Sequence, residues 1–120
     1  MTTSSSEKSD SEGRIASRHV FERRIRIRIE GKDLTVEGWT RNLSEGGVNA
    51  FVAHSLTRGE FVTLEVPLQD SQTQSIPAQV VRTLGTEYGF QFTALSILQR
   101  AQIRATLREQ PVIPHERKRR

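Results

Sequence analysis

Two short clusters carry most of the chemistry this sequence offers. In Gly13-Arg14-Ile15-Ala16-Ser17-Arg18, two arginines stand in the spacing Arg-x-x-x-Arg. Each guanidinium is a planar fork of N–H donors that can hold a phosphate through two parallel hydrogen bonds or lie flat on an aromatic ring. In Asn42-Leu43-Ser44-Glu45-Gly46-Gly47, Asn42 and Ser44 supply short donors and acceptors. Gly47 permits a close backbone approach or a left-handed turn, and Gly46 reads as a plain turn residue. Arg41, next to Asn42, is a further candidate for a phosphate contact. Taken separately, each cluster has an ordinary reading. Arginine pairs are common on solvated surfaces, and Asn, Ser and Gly-Gly are what a tight turn uses.

Catalysis finds little support. His19, His54 and His115 are far apart and in no metal-ligand spacing, so no metal site is expected. There is no Gly-x-Ser-x-Gly elbow, no Walker loop and no dinucleotide Gly-x-Gly-x-x-Gly, and the carboxylates are scattered. With 0 Cys in 120 residues, disulfides, thiolate metal sites and cysteine nucleophiles are excluded. No apolar run nears the roughly 18 residues of a membrane-spanning helix, and Met1 to Gly13 lacks the apolar core of a signal peptide, so a cytoplasmic chain is expected. The sequon Asn42-Leu43-Ser44 is set aside for the same reason.

The net charge of +4 is unevenly spread: residues 1–30 carry 7 Lys/Arg against 5 Asp/Glu, residues 31–99 carry 4 against 7, and residues 100–120 carry 7 against 2. The middle of the chain is therefore mildly acidic. A protein that tracks a nucleic-acid polymer needs a basic stripe over its folded face, so this distribution favours a small anion or a flexible basic arm.

The elements that would position these residues are mostly strands. Residues 1–13 are polar, Ser/Thr-rich and aperiodic, and are expected to be disordered. From Arg24 to Glu30, charge alternates with isoleucine, the period-two pattern of a half-buried strand. Gly31-Lys32-Asp33 then turns the chain into Leu34–Trp39, a hairpin. Further short runs at 47–52, 61–66, 75–82 and 88–92, each bounded by turn residues, predict an antiparallel barrel or sandwich. Pro77 suggests an edge strand or a bulge. Only the last segment reads as helical. Ser96 and Gln99 form a capping box, Ile97, Leu98, Ala101 and Ala105 share one face with Ile103 and Leu107 extending it sideways, and Pro111 ends it. Residues 110–120 read as a basic tail, ending Arg117-Lys118-Arg119-Arg120.

Order and context join the two clusters. Arg14-x-x-x-Arg18, then a hairpin, then Asn42-x-Ser44-x-x-Gly47 resembles the PilZ domain family, whose pattern is R-x-x-x-R followed by [D/N]-x-S-x-x-G. Arg18 to Ile27 resembles that family's lead into its first strand, and Tyr88-Gly89-Phe90-Gln91-Phe92 its late strand before a C-terminal helix. The resemblance spans about residues 13–109, with both motifs complete.

It implies an all-β domain over 14–109, a six-stranded antiparallel barrel with a C-terminal helix. It further implies a non-enzymatic receptor for cyclic di-GMP, with Arg14, Arg18, Asn42, Ser44 and Gly47 as ligand-binding residues and no cofactor. Arginine suits that ligand, since it can bond the O6/N7 edge of guanine, grip phosphate and stack on the purine. Ordering of residues 1–18 around the ligand would be the switch, and an unidentified downstream protein its reader. Trp39 at the end of its strand reads as barrel core or rim rather than as a purine platform. The alternative is a PilZ-like interaction module in motility or pilus assembly that ignores the nucleotide. A small RNA- or DNA-binding barrel is disfavoured by the 6% aromatic content and the acidic middle.

Overall fold

In the computed structural model, which describes residues 17–68 and 72–114, the alternating segment behaves as its pattern dictates. Ile25, Ile27 and Ile29 are buried while Arg24, Arg26 and Arg28 face solvent, so Arg24–Ile29 is a strand with one core face. In chain order the strands are β1 (His19–Val20), β2 (Arg24–Ile29), β3 (Leu34–Leu43), β4 (Gly47–Val52), β5 (Phe61–Pro67), β6 (Thr73–Leu84) and β7 (Glu87–Phe92), followed by the helix α1 (Ile97–Arg108). Gly31, at φ 83°, turns β2 into β3, and Ile29 pairs opposite Leu34 as expected of the hairpin.

Every pairing is antiparallel, in the order β3-β2-β5-β6-β7-β4, and β4 pairs back onto β3. This closes a six-stranded barrel, which leaves no unpaired edge among those strands. The short β1 is an addition to the six, pairing with the end of β3 on the edge that β2 uses further along. Between β1 and β2 the buried Thr40 hydroxyl fills the gap in the ladder, donating to the Phe21 carbonyl at 2.6 Å and accepting from the Arg23 N–H at 2.7 Å.

Two bulges break the in-and-out alternation, one at Arg41 in β3 and one at Val81 in β6. Pro77 is not at a bulge, but at its position β6 pairs with β5 alone, a local edge. It lies in β6 opposite Thr63 of β5, and its carbonyl accepts from the Thr93 N–H at 2.9 Å, beyond the end of β7. The donor that proline lacks faces a position where the β7 ladder has already ended.

The capping box of α1 forms as expected, with Gln99 N–H donating to Ser96 Oγ at 3.0 Å and Ser96 N–H to Gln99 Oε1 at 3.1 Å. The docking face differs from the expected one. Ile103, Thr106 and Leu107 are buried, whereas Ile97 and Leu98 are 89% and 64% exposed. Two branched side chains one turn apart bury more apolar area than a stripe completed by alanines, and they set the helix's rotation. Residues 110–113, assigned to the tail by composition, pair with β1 instead: Val20 N–H donates to the Pro111 carbonyl at 2.9 Å and Ile113 N–H to the Arg18 carbonyl at 2.8 Å. No helix among the described residues is long and apolar enough to cross a membrane.

Candidate functional site

The site lies on the outside of the barrel, along one row of paired residues. Val20 pairs with Asn42, Asn42 with Asn49, Asn49 with Gly89, and Gly89 with Arg82, a line that crosses β1, β3, β4, β7 and β6. Paired residues share a face, and the next row inward, Leu43, Val48, Phe90 and Val80, is core. The bulges create this row. By strict alternation from the inward Thr40 and Val80, Asn42 and Arg82 would point into the barrel, and one extra residue in each strand turns them outward.

Arg18 enters from the start of β1, with its carbonyl held by Ile113. Its Nη1 donates to Asn42 Oδ1 at 2.9 Å, and the same oxygen accepts from Asn49 Nδ2 at 3.0 Å. Asn42 and Asn49 are buried, so the acceptor aimed at Arg18 is fixed. An asparagine orients the guanidinium without cancelling its charge. Among the described residues no carboxylate pairs with Arg18. Burial, and then the nearby Arg82 charge, hold its pKa below the usual arginine value. The sequence reading put Arg18 on a mobile segment, whereas the structure seats it between β3 and the chain beyond α1.

Beside this row is a cavity of about 1000 Å³. Arg18, His19, Ser44, Gly47, Asn49, Arg82, Gly89 and Arg100 are among its lining residues. The single carboxylate of the lining, Glu45, is paired with Arg104 at 3.5 Å. Three arginines against one neutralised acid leave the cavity positive, suited to an anion with planar, hydrogen-bonding parts. His19 donates from Nδ1 to the Gln110 carbonyl at 2.9 Å, which fixes its ring.

The predicted residues therefore meet in part. Arg18 and Asn42 are bonded, and Ser44 and Gly47 line the same cavity. Asn42 lies at the end of β3 rather than in the turn. Ser44 serves the turn itself, its N–H donating to the Gly47 carbonyl at 2.9 Å while its Oγ accepts from Gly46 N–H at 3.3 Å. Gly47 is not left-handed; its role is close approach, because a Cβ there would collide with the Phe90 carbonyl. Arg41 does not line the cavity, and its Nη1 bonds both oxygens of Glu87 at 3.2 Å. Trp39 is on the outer face beside its cross-strand partner Phe51, 49% and 43% exposed, and is not core. Arg14 falls outside the described residues.

Sequence reasoning missed Asn49, Arg82, Gly89 and Arg100. Asn49 was accessible as a polar residue on the face of Gly47, and Gly89 as a glycine inside a strand, a sign of close approach. Arg82 depends on a bulge, and Arg100 on how α1 docks.

A family model, PilZ domain, matches residues 12–109. The fold is similar to the crystal structure of the PilZ domain of CeSA from a cellulose-synthesizing bacterium, with 19% identity, a TM-score of 0.62, and coverage of 77% of this chain and 95% of that one. It is also similar to the PilZ domain of YcgR from Escherichia coli with c-di-GMP, with 16% identity, a TM-score of 0.65, and coverage of 78% and 88%. The Bacillus subtilis inhibitor of motility, MotI/DgrA, has 18% identity and a TM-score of 0.64, over 78% of this chain and 49% of that one. No curated protein matches the chain.

Proposed function

The chain belongs to the PilZ domain family, and from that premise we propose that it is a cyclic di-GMP receptor whose ligand sits in the cavity beside Arg18. The observation that carries this reading is the pairing of Arg18 with a neutral acceptor, Asn42, on the wall of a cavity that Arg82 and Arg100 also line, with no carboxylate on Arg18 among the described residues. A ligand with two phosphates and two guanines answers both features, since its anions offset the charge and its purine edges accept arginine's paired donors.

Arg18 is already placed by the described residues, so on this proposal the switch is the recruitment of Arg14 to the ligand from the N-terminal side. That movement would be the signal read by a partner protein. Since ordering opposes binding, an affinity in the micromolar range, about −8 kcal/mol, is expected. A module that ignores the nucleotide would leave Arg18 half-buried beside another cation without a role. Thermal melting with and without cyclic di-GMP tests the proposal: a ligand that binds only the folded chain raises Tm with concentration. An unchanged Tm at millimolar ligand rejects it.

A further inference from the structure

Arg82 closes the row that begins near Arg18, and its guanidinium is only loosely held. Gly89 stands opposite in β7. A Cβ at that position would meet Asn49 Oδ1 at 3.1 Å, Arg82 Cβ at 3.2 Å and Arg82 Nε at 3.4 Å, so the glycine clears a path along which Arg82 lies across the sheet toward Asn49. At its tip, Arg82 Nη2 is 3.7 Å from Glu87 Oε2, beyond hydrogen-bonding distance, while Arg41 holds both Glu87 oxygens at 3.2 Å. Glu87 is therefore well served by Arg41 and only loosely tied to Arg82. The side chain of Glu87 is 11% exposed and that of Arg82 is 52% exposed, so the carboxylate is the fixed member of the pair and the guanidinium the free one. Arg82 also faces Arg18, a second cation that an intervening anion would satisfy together with it.

We propose that Arg82 is a third arginine that grips the ligand, through a phosphate of cyclic di-GMP, and that Glu87 is a positioning residue that competes with the phosphate for it. This rests on the reading that the cavity takes cyclic di-GMP. The Arg41–Glu87–Arg82 chain then tunes affinity modestly, because the ligand must draw Arg82 away from the loose attraction of Glu87.

Titration calorimetry with cyclic di-GMP at low salt, alongside thermal melts, separates the possibilities. Arg82→Ala should weaken binding on the order of tenfold or more, the loss of a charge-assisted hydrogen bond. Arg82→Lys keeps the charge but not the fork and should fall between, and it serves as the test should the alanine variant fold poorly. Glu87→Gln, which keeps the shape and removes the charge, should tighten binding about two- to fivefold, the scale of a partly exposed ion pair. In an Arg82→Ala background the same change should do nothing. Unaltered affinity in folded Arg82→Ala, or weakening by Glu87→Gln to the same degree in both backgrounds, overturns this inference and leaves the receptor reading standing. Absence of binding by the unaltered chain overturns both.

Discussion

Arg18 and Asn42, separated by 24 positions in the sequence, meet through a 2.9 Å hydrogen bond in which a neutral acceptor holds a half-buried cation. Two structural facts make the bond available. The bulge at Arg41 turns Asn42 outward, and the chain beyond α1 fixes the Arg18 backbone. Burial and a like charge nearby both act against the charged form of Arg18 in the folded chain, which fits the proposed binding role better than a stabilising one.

Arg18→Ala should accordingly leave Tm unchanged or slightly raised. Asn42 Oδ1 still accepts from Asn49, so no buried polar atom is orphaned. Circular dichroism melts at neutral pH check this, and a fall of more than a few degrees would show that Arg18 is structural.

Gly47→Ala should destabilise by about 2–3 kcal/mol or prevent folding, because the new Cβ collides with the Phe90 carbonyl and backbone must shift between β4 and β7. Gly46→Ala is the control. It meets nothing within 4 Å and should change stability by less than about 0.5 kcal/mol. Urea midpoints for the two variants should therefore differ clearly.

Gly89→Ala should fold with modest loss of stability while weakening ligand binding. Its Cβ would stand 3.1 Å from Asn49 Oδ1 and 3.2 Å from Arg82 Cβ; the Asn49 amide can turn aside, whereas Arg82 Cβ gives only with its strand, and that displacement disturbs the proposed binding row. Parallel melts and titrations test it, and undisturbed affinity would place Arg82 outside the site.

Acid stability should depend on Glu60. Its carboxylate accepts from the Thr57 N–H and pairs with Lys32 at 3.4 Å, and these hold its pKa below the usual glutamate value against a smaller desolvation cost. A folded pKa below the unfolded one means that the contribution is fully present at neutral pH. It is lost as pH falls through the usual glutamate range and below. Glu60→Gln should lower Tm at pH 7 and reduce the difference from the unaltered chain toward acid pH; a difference constant with pH contradicts the assignment.

The barrel was legible because its strands obey a local rule. Arg24–Ile29 states its own two faces, and Gly31 marks the turn. The candidate site was legible through its motif residues, Arg18 bonded to Asn42 with Ser44 and Gly47 on the cavity wall. The bulges at Arg41 and Val81 have no signature in the adjacent residues, because a bulge is set by the register of partner strands far along the chain. Arg82 was hidden for that reason. The rotation of α1, and with it the place of Arg100, depended on whether Ile97 or Ile103 found the core, a competition settled by packing across the whole domain.

The most direct test of the receptor reading is isothermal titration of cyclic di-GMP into the unaltered chain and into Arg18→Ala. Saturable heat with a micromolar Kd from the first, and none from a second that melts normally, is the predicted result. No heat from the unaltered chain, or equal affinity in both, would contradict it.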